Sequence, residues 1–199
     1  MENRQKILEC ALELFFRRGY DAVGIQEICL SAGVTKPTLY HYFGSKYGLL
    51  EKLLEEMLAE RSRQLTEKVL GMSGSRTYSR MEEMLYSFTT ELINFVNGNQ
   101  KAYMLFMSMS YSAKDSEAHQ AIKPYLKLMY DMTVQFFAQS GYLLGNMNGR
   151  QEQFAIGFLG LINHYILFME YQNNADGPIL VSEEKKRSLI HQFMHGIFS

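Results

Sequence analysis

Ala32-Gly33-Val34-Thr35-Lys36-Pro37-Thr38-Leu39-Tyr40-His41-Tyr42-Phe43 is the stretch on which the reading of this chain turns. Gly33 takes positive φ at little cost and so marks a tight turn. Thr35 is suited to cap a helix whose first turn contains Pro37, where a missing N–H does no harm. Gly44 and Ser45 break that helix after Phe43, leaving a short rod over 36–43. Upstream, Ile25 to Ser31 reads as another short helix, with Ile25 and Ile28 inward. Two short helices joined by such a turn make a helix-turn-helix, in which the first braces the second and the second enters the major groove. Val34, Leu39 and Phe43 are spaced to pack inward. Lys36, Thr38, Tyr40, His41 and Tyr42 remain as the outward face. Their ammonium, hydroxyl, imidazole and phenols suit phosphate and base-edge contacts. Lys46, just past the break, can hold a further phosphate.

Working outward, the pattern stays helical. Ile7, Cys10, Ala11, Leu14 and Phe15 give the stripe of an amphipathic helix over Arg4 to Arg18, ended by Gly19. Ser45 caps a long helix from Lys46 to about Leu70. Gly71 to Thr77 has the clearest loop composition, so an internal boundary falls near it. Further helices are predicted over Tyr78–Asn97, Lys101–Ala113, Ser116–Gln139, Arg150–Asn173 and Ser182–Phe198, with Pro124 kinking the third or starting its second half. No segment alternates with period two and no repeat is evident. The expected fold is all-α: a three-helix head over 1–47 carrying the helix-turn-helix, and a larger helical domain over 48–199.

Composition is that of a soluble globular protein: 199 residues, 47% hydrophobic and 21% charged, with a net charge of −1. A chain with no overall basic field must meet nucleic acid through a local patch. Residues 1–50 hold six basic and five acidic side chains, so the head itself is nearly neutral. Cys10 and Cys29 are read as reduced core thiols of a cytoplasmic protein. The first residues lack the order of a signal peptide. Gln153 to Met169 carries no Asp, Glu, Lys or Arg, yet it is short and holds Asn163 and His164; it is read as a buried helix, and no membrane is expected.

The run from Ala32 to Phe43, with Gly19-Tyr20, Ile28, Lys46 and Leu49-Leu50, resembles the TetR family of transcriptional regulators. The resemblance covers roughly the first 50 residues. It implies a homodimeric repressor with a small effector in its second domain, and places DNA contacts on Thr35, Lys36, Thr38, Tyr40, His41, Tyr42 and Lys46. Val23-Gly24 departs from the Ser or Thr common in the family at the start of the second helix, which puts one phosphate contact in doubt.

The helix over 150–173 has two apolar faces, one of Phe154, Phe158, Leu161, Tyr165 and Phe168 and one of Ala155, Leu159, Ile162, Ile166 and Met169, and is expected to be buried on most sides. Gly157 and Gly160 would admit a neighbouring backbone. The resemblance implies that the last two helices pair with their two-fold mates. Met and aromatic residues concentrate between the linker and these helices, which suits an adaptable cavity for a mostly apolar ligand. Phe88, Tyr103, Phe106, Met107, Tyr125, Met129 and His164 are the candidates to line it, most such residues being ordinary core. His191 and His195 lie one turn apart, but no third metal ligand is nearby. No P-loop, dinucleotide fingerprint or nucleophile elbow occurs. Neither an enzyme, a metal nor a cofactor is expected. The expected function is a ligand-responsive regulator on a palindromic operator. The alternative is a helical small-molecule binder or protein-interaction module whose head no longer meets DNA.

Overall fold

The computed structural model describes residues 2–71, 78–140, 149–172 and 177–196. All regular elements among them are helical: α1 (Glu2–Arg18), α2 (Ile25–Ala32), α3 (Lys36–Phe43), α4 (Lys46–Leu54), a π-helical turn (Glu55–Ala59), α5 (Glu60–Leu70), α6 (Tyr78–Gly98), α7 (Gln100–Ser110), α8 (Glu117–Ser140), α9 (Gln151–Gln172) and α10 (Glu183–His195). The all-α expectation holds. The long helix expected from Lys46 to Leu70 is continuous but widened by the π turn. Pro124 sits inside α8, which continues past it. The predicted helix over 101–113 stops at Ser110, where Tyr111 leaves helical geometry. Of the expected loop, Gly71 is a turn and residues 72–77 lie outside the described ones, as do residues 197–199 of the predicted final helix.

Packing groups the chain into two compact units: 1–61 with 99–126, and 62–98 with 127–199. This differs from the functional division expected at residue 47, because α7 and the start of α8 pack with the head. In the first unit α1 meets α2, α3, α4 and α7. A helix touched from so many sides needs more than one narrow stripe. Leu8 is accordingly buried beside Ile7, Ala11 and Phe15, while Cys10 and Leu14 of the expected stripe are only half-buried. Leu49, Leu50, Leu53 and Leu54 of α4 are all fully buried.

The second unit is built around aromatic rings. Phe88 lies 5.1 Å from Phe136 and 5.0 Å from Phe158, and Phe193 of α10 lies 5.4 Å from Phe158. Edge and tilted contacts at these separations add to the burial of the rings themselves. Lys186 is buried in the same unit at low cost because Glu183 (2.6 Å) and the Thr90 hydroxyl (3.3 Å) accept from its ammonium, which also lies over the Tyr86 ring.

One correction concerns α9. Only Ala155, Phe158, Leu159, Ile162, Asn163 and Ile166 are buried. Ile156 is 61% exposed, Phe168 53% and Tyr171 84%. The chain's own elements cover one side of this helix and leave the other bare. By length and composition α9 would also pass as a membrane span, with a third of its most apolar window buried.

The segment before α10 has no helix or strand partner, yet it is fixed. The Asn97 side chain donates to the Ile179 carbonyl (3.1 Å) and accepts from the Ile179 N–H (2.8 Å). Asn97→Ala leaves both backbone groups of a buried residue unpaired. The expected cost is about 1–3 kcal/mol, read as a lower urea midpoint at unchanged slope.

Candidate nucleic-acid interface

Local chemistry sets the geometry of the helix-turn-helix. Gly33 ends α2 with φ 66°. The Val34 N–H then returns to the Cys29 carbonyl at 3.0 Å, which closes the turn. Thr35 has extended backbone and its hydroxyl accepts from the Thr38 N–H at 3.4 Å, as expected of a cap, while Gly24 caps α2 through no side chain. Leu39 and Phe43 anchor α3 in the core and Val34 is half-buried. The opposite face is open: Thr35, Lys36, Tyr40, His41 and Tyr42 are exposed and Thr38 is half-exposed. The structure therefore leaves the candidate contact residues of α3 and its cap uncovered, while Lys46 stands apart on α4.

Charge pairing sharpens this. Of the six cations in residues 1–50, Arg4 pairs with Glu56, Lys6 with Glu2, Arg17 with Glu13 and Arg18 with Glu27. Lys36 makes no ion pair with a described residue, so its charge is available to a phosphate. Lys46 differs again: it is half-buried, with Nζ 4.1 Å over the Tyr20 ring. Burial lowers its pKa, and the nearby Asp21 and Glu117 carboxylates oppose that shift.

Of two residues that position α3, Gly48 is not singled out by the sequence, and Tyr20 enters there only through the family resemblance. Ser45 caps α4 by accepting from the Gly48 N–H at 2.9 Å. A Cβ on Gly48 would stand 2.2 Å from the Phe43 carbonyl oxygen, which cannot swing aside. Gly48→Ala must therefore push the start of α4 away from the end of α3. The expected destabilisation is about 1–3 kcal/mol, measured by thermal unfolding, with weaker DNA binding in proportion. Tyr20 is the other: it is buried, edge-on to Phe15 at 5.2 Å, and donates to the Glu117 carboxylate. Its hydroxyl pKa is pushed strongly upward by burial first and by Glu117 second.

The residues expected to line an effector cavity are distributed between the two units. Tyr103, Phe106, Met107 and Tyr125 belong to the first, where Tyr103 and Phe106 lie 6.4 Å apart, and burial pushes the Tyr103 hydroxyl upward. Phe88, Met129 and His164 belong to the second. Phe88 is in the aromatic core and Met129 is half-buried. His164 is exposed on α9, with Nδ1 3.0 Å from the Gly160 carbonyl. The buried hydroxyls of Thr89 and Ser140, also in the second unit, have no hydrogen-bond partner among the described residues. His191 and His195 stack at 4.3 Å on the exposed side of α10.

A capped, outward-facing second helix braced by the first defines a helix-turn-helix protein of the regulatory kind. Residues 7–53 match the model of the bacterial regulatory proteins, tetR family. The first quarter of the chain is thus similar to the DNA-binding head of that family. The chain is 32% identical over 120 residues to the HTH-type transcriptional activator FasR of Mycolicibacterium smegmatis, covering 60% of this chain and 52% of FasR. It is 25% identical over 164 residues to the HTH-type transcriptional regulator YdgC of Bacillus subtilis, covering 82% and 79%. With FasR, and with BetI of Vibrio campbellii at 56%, the chain spans about half of the relative's length. Its fold is similar to that of the transcriptional regulator FadR from Bacillus subtilis, solved in complex with stearoyl-CoA: TM-score 0.71, 18% identity, 97% of this chain and 98% of that one.

Proposed function

We propose that the protein is a cytoplasmic, ligand-responsive transcriptional repressor that binds a palindromic operator as a homodimer. The observation that carries this is the bare face of α3, with Lys36 unpaired and Tyr40, His41 and Tyr42 exposed above a firmly packed Leu39 and Phe43. The head, 1–47, makes the DNA contacts through Thr35, Lys36, Thr38, Tyr40, His41, Tyr42 and Lys46; residues 48–199 supply the effector and dimer contacts. The apolar row on α9 supports pairing of α9 and α10 with a second copy, which would carry two α3 rods into successive major grooves about 34–36 Å apart. A mostly apolar effector is supported in the second unit by its buried aromatic rings, Phe88 among them, and by the buried Thr89 and Ser140 hydroxyls, which have no hydrogen-bond partner among the described residues. Because a protein of similar fold was solved with stearoyl-CoA, long-chain acyl-CoA is the first probe.

The test is selection of bound fragments from genomic DNA, followed by a salt series on the selected site. The expected result is a palindrome, a steep fall of affinity with salt, and release by the effector with the dimer intact, since a ligand shifts only states it binds unequally. Retention of no fragment and a flat salt response favour a head that acts on a protein instead. Loss of transcription from the selected promoter on deleting the protein reverses the repressor reading to activation.

A further inference from the structure

Of the two candidate contact lysines, Lys46 is the one whose ammonium already rests against a described residue. Its ammonium rests on the face of Tyr20, within cation–π range. The Tyr20 ring is held at three points: its face by Lys46, its edge by Phe15, and its hydroxyl by the Glu117 carboxylate, 97 residues away in sequence. A phenol that donates to a carboxylate carries more negative charge on its ring, which strengthens its hold on a cation. Asp21 and Glu117 are the anions that act on the ammonium. To neutralise a phosphate, Lys46 must leave this nest.

Glu117 also occupies a telling place. It is the first residue of α8, where the Ser116 hydroxyl accepts from the His119 N–H at 3.1 Å. Residues 117–126 of this helix pack with the head, and 127–140 belong to the second unit. A second tie, Lys101 Nζ to Glu13 at 2.5 Å, fixes α7 to α1 on the same side of the chain order.

We propose that Glu117 is a positioning residue for DNA binding: through Tyr20 it holds Lys46 away from the phosphate backbone, so that the start of α8 sets how many phosphates each head engages. This rests on the reading of the head as a DNA-binding domain. Any displacement of α8 that withdraws Glu117 then releases a cation to DNA, and any that seats it more firmly removes one.

The test is the salt dependence of operator binding by full-length Glu117→Gln, which keeps an acceptor for Tyr20 and removes the charge. One extra phosphate per subunit steepens the slope of log affinity against log salt by about 0.9, or about 1.8 for a dimer. Binding then becomes tighter at low salt, and its loss between 50 and 200 mM salt grows about tenfold beyond the wild type's. In the Lys46→Gln background the same change is expected to do nothing. An unchanged slope in Glu117→Gln overturns the proposal. So does a steeper slope that survives Lys46→Gln, because it would reflect bulk charge, or a parallel loss at all salts with a lower melting temperature, because Glu117 would then be a structural prop. If the wild type binds no operator at any salt, the DNA-binding reading and this inference fall together.

Discussion

Lys36→Ala or Tyr40→Ala, each taken singly, is expected to lower operator affinity by about 30-fold to 10,000-fold while leaving the melting temperature nearly unchanged. Both side chains are exposed on α3, and neither is needed to hold the rod, which Leu39, Phe43 and the Thr35 cap already fix. Surface substitutions of this kind shift stability by only about 0.5 kcal/mol. Each lost contact to DNA removes about 1–3 kcal/mol. Symmetry makes the loss twice, and about 1.4 kcal/mol is tenfold, which gives the stated range. The two roles separate by measurement. Lys36→Ala alone lowers the salt slope and weakens all sequences alike, whereas Tyr40→Ala alone relaxes preference within the site. Equal affinity of both variants and the wild type would remove α3 from the interface.

The other large effect concerns assembly. Ile156→Glu with Phe168→Glu places two carboxylates at exposed positions of α9, twelve residues and so about 18 Å apart along it. If those positions line the seam between two copies, four unpaired charges enter it. Sedimentation then reports a 23.1 kDa monomer in place of a dimer. Operator affinity falls at least about 100-fold, since the second head no longer binds at high effective concentration. The fold survives, because both positions are already exposed within one chain. Gly160 fits the same picture: a Cβ there would meet nothing within 4 Å. A variant that stays dimeric places the seam elsewhere.

The head was legible because its chemistry is local. A turn glycine, a threonine cap, a proline in the first turn and two inward apolar residues all lie within a dozen positions, and each acts on its immediate neighbours. The same holds for helix existence in the second half, where spacing alone marks the elements. What escaped depends on partners distant in sequence. Leu8 is buried because α7 and α4 arrive from elsewhere, and nothing near it says so. Glu117 looks like an ordinary exposed carboxylate opening a helix until Tyr20 is found against it. Gly48 reads as a helix-weakening residue, and its need is set by the carbonyl of Phe43. The cover of α9 is legible only in part for a related reason: a helix apolar all round needs cover all round, but spacing does not say which molecule provides it.

The attachment of residue 179 to Asn97 has a bearing on how this region can vary over evolutionary time. An amide that grips main-chain groups treats every non-proline residue alike, since all present the same donor and acceptor. Drift in the spelling of this stretch is therefore permitted by the contact, while a change at position 97 forfeits it outright. Descendants of this chain should diverge at the exposed positions of the strap such as Leu180, keep a non-proline apolar residue at the buried position 179, and keep asparagine on the helix opposite.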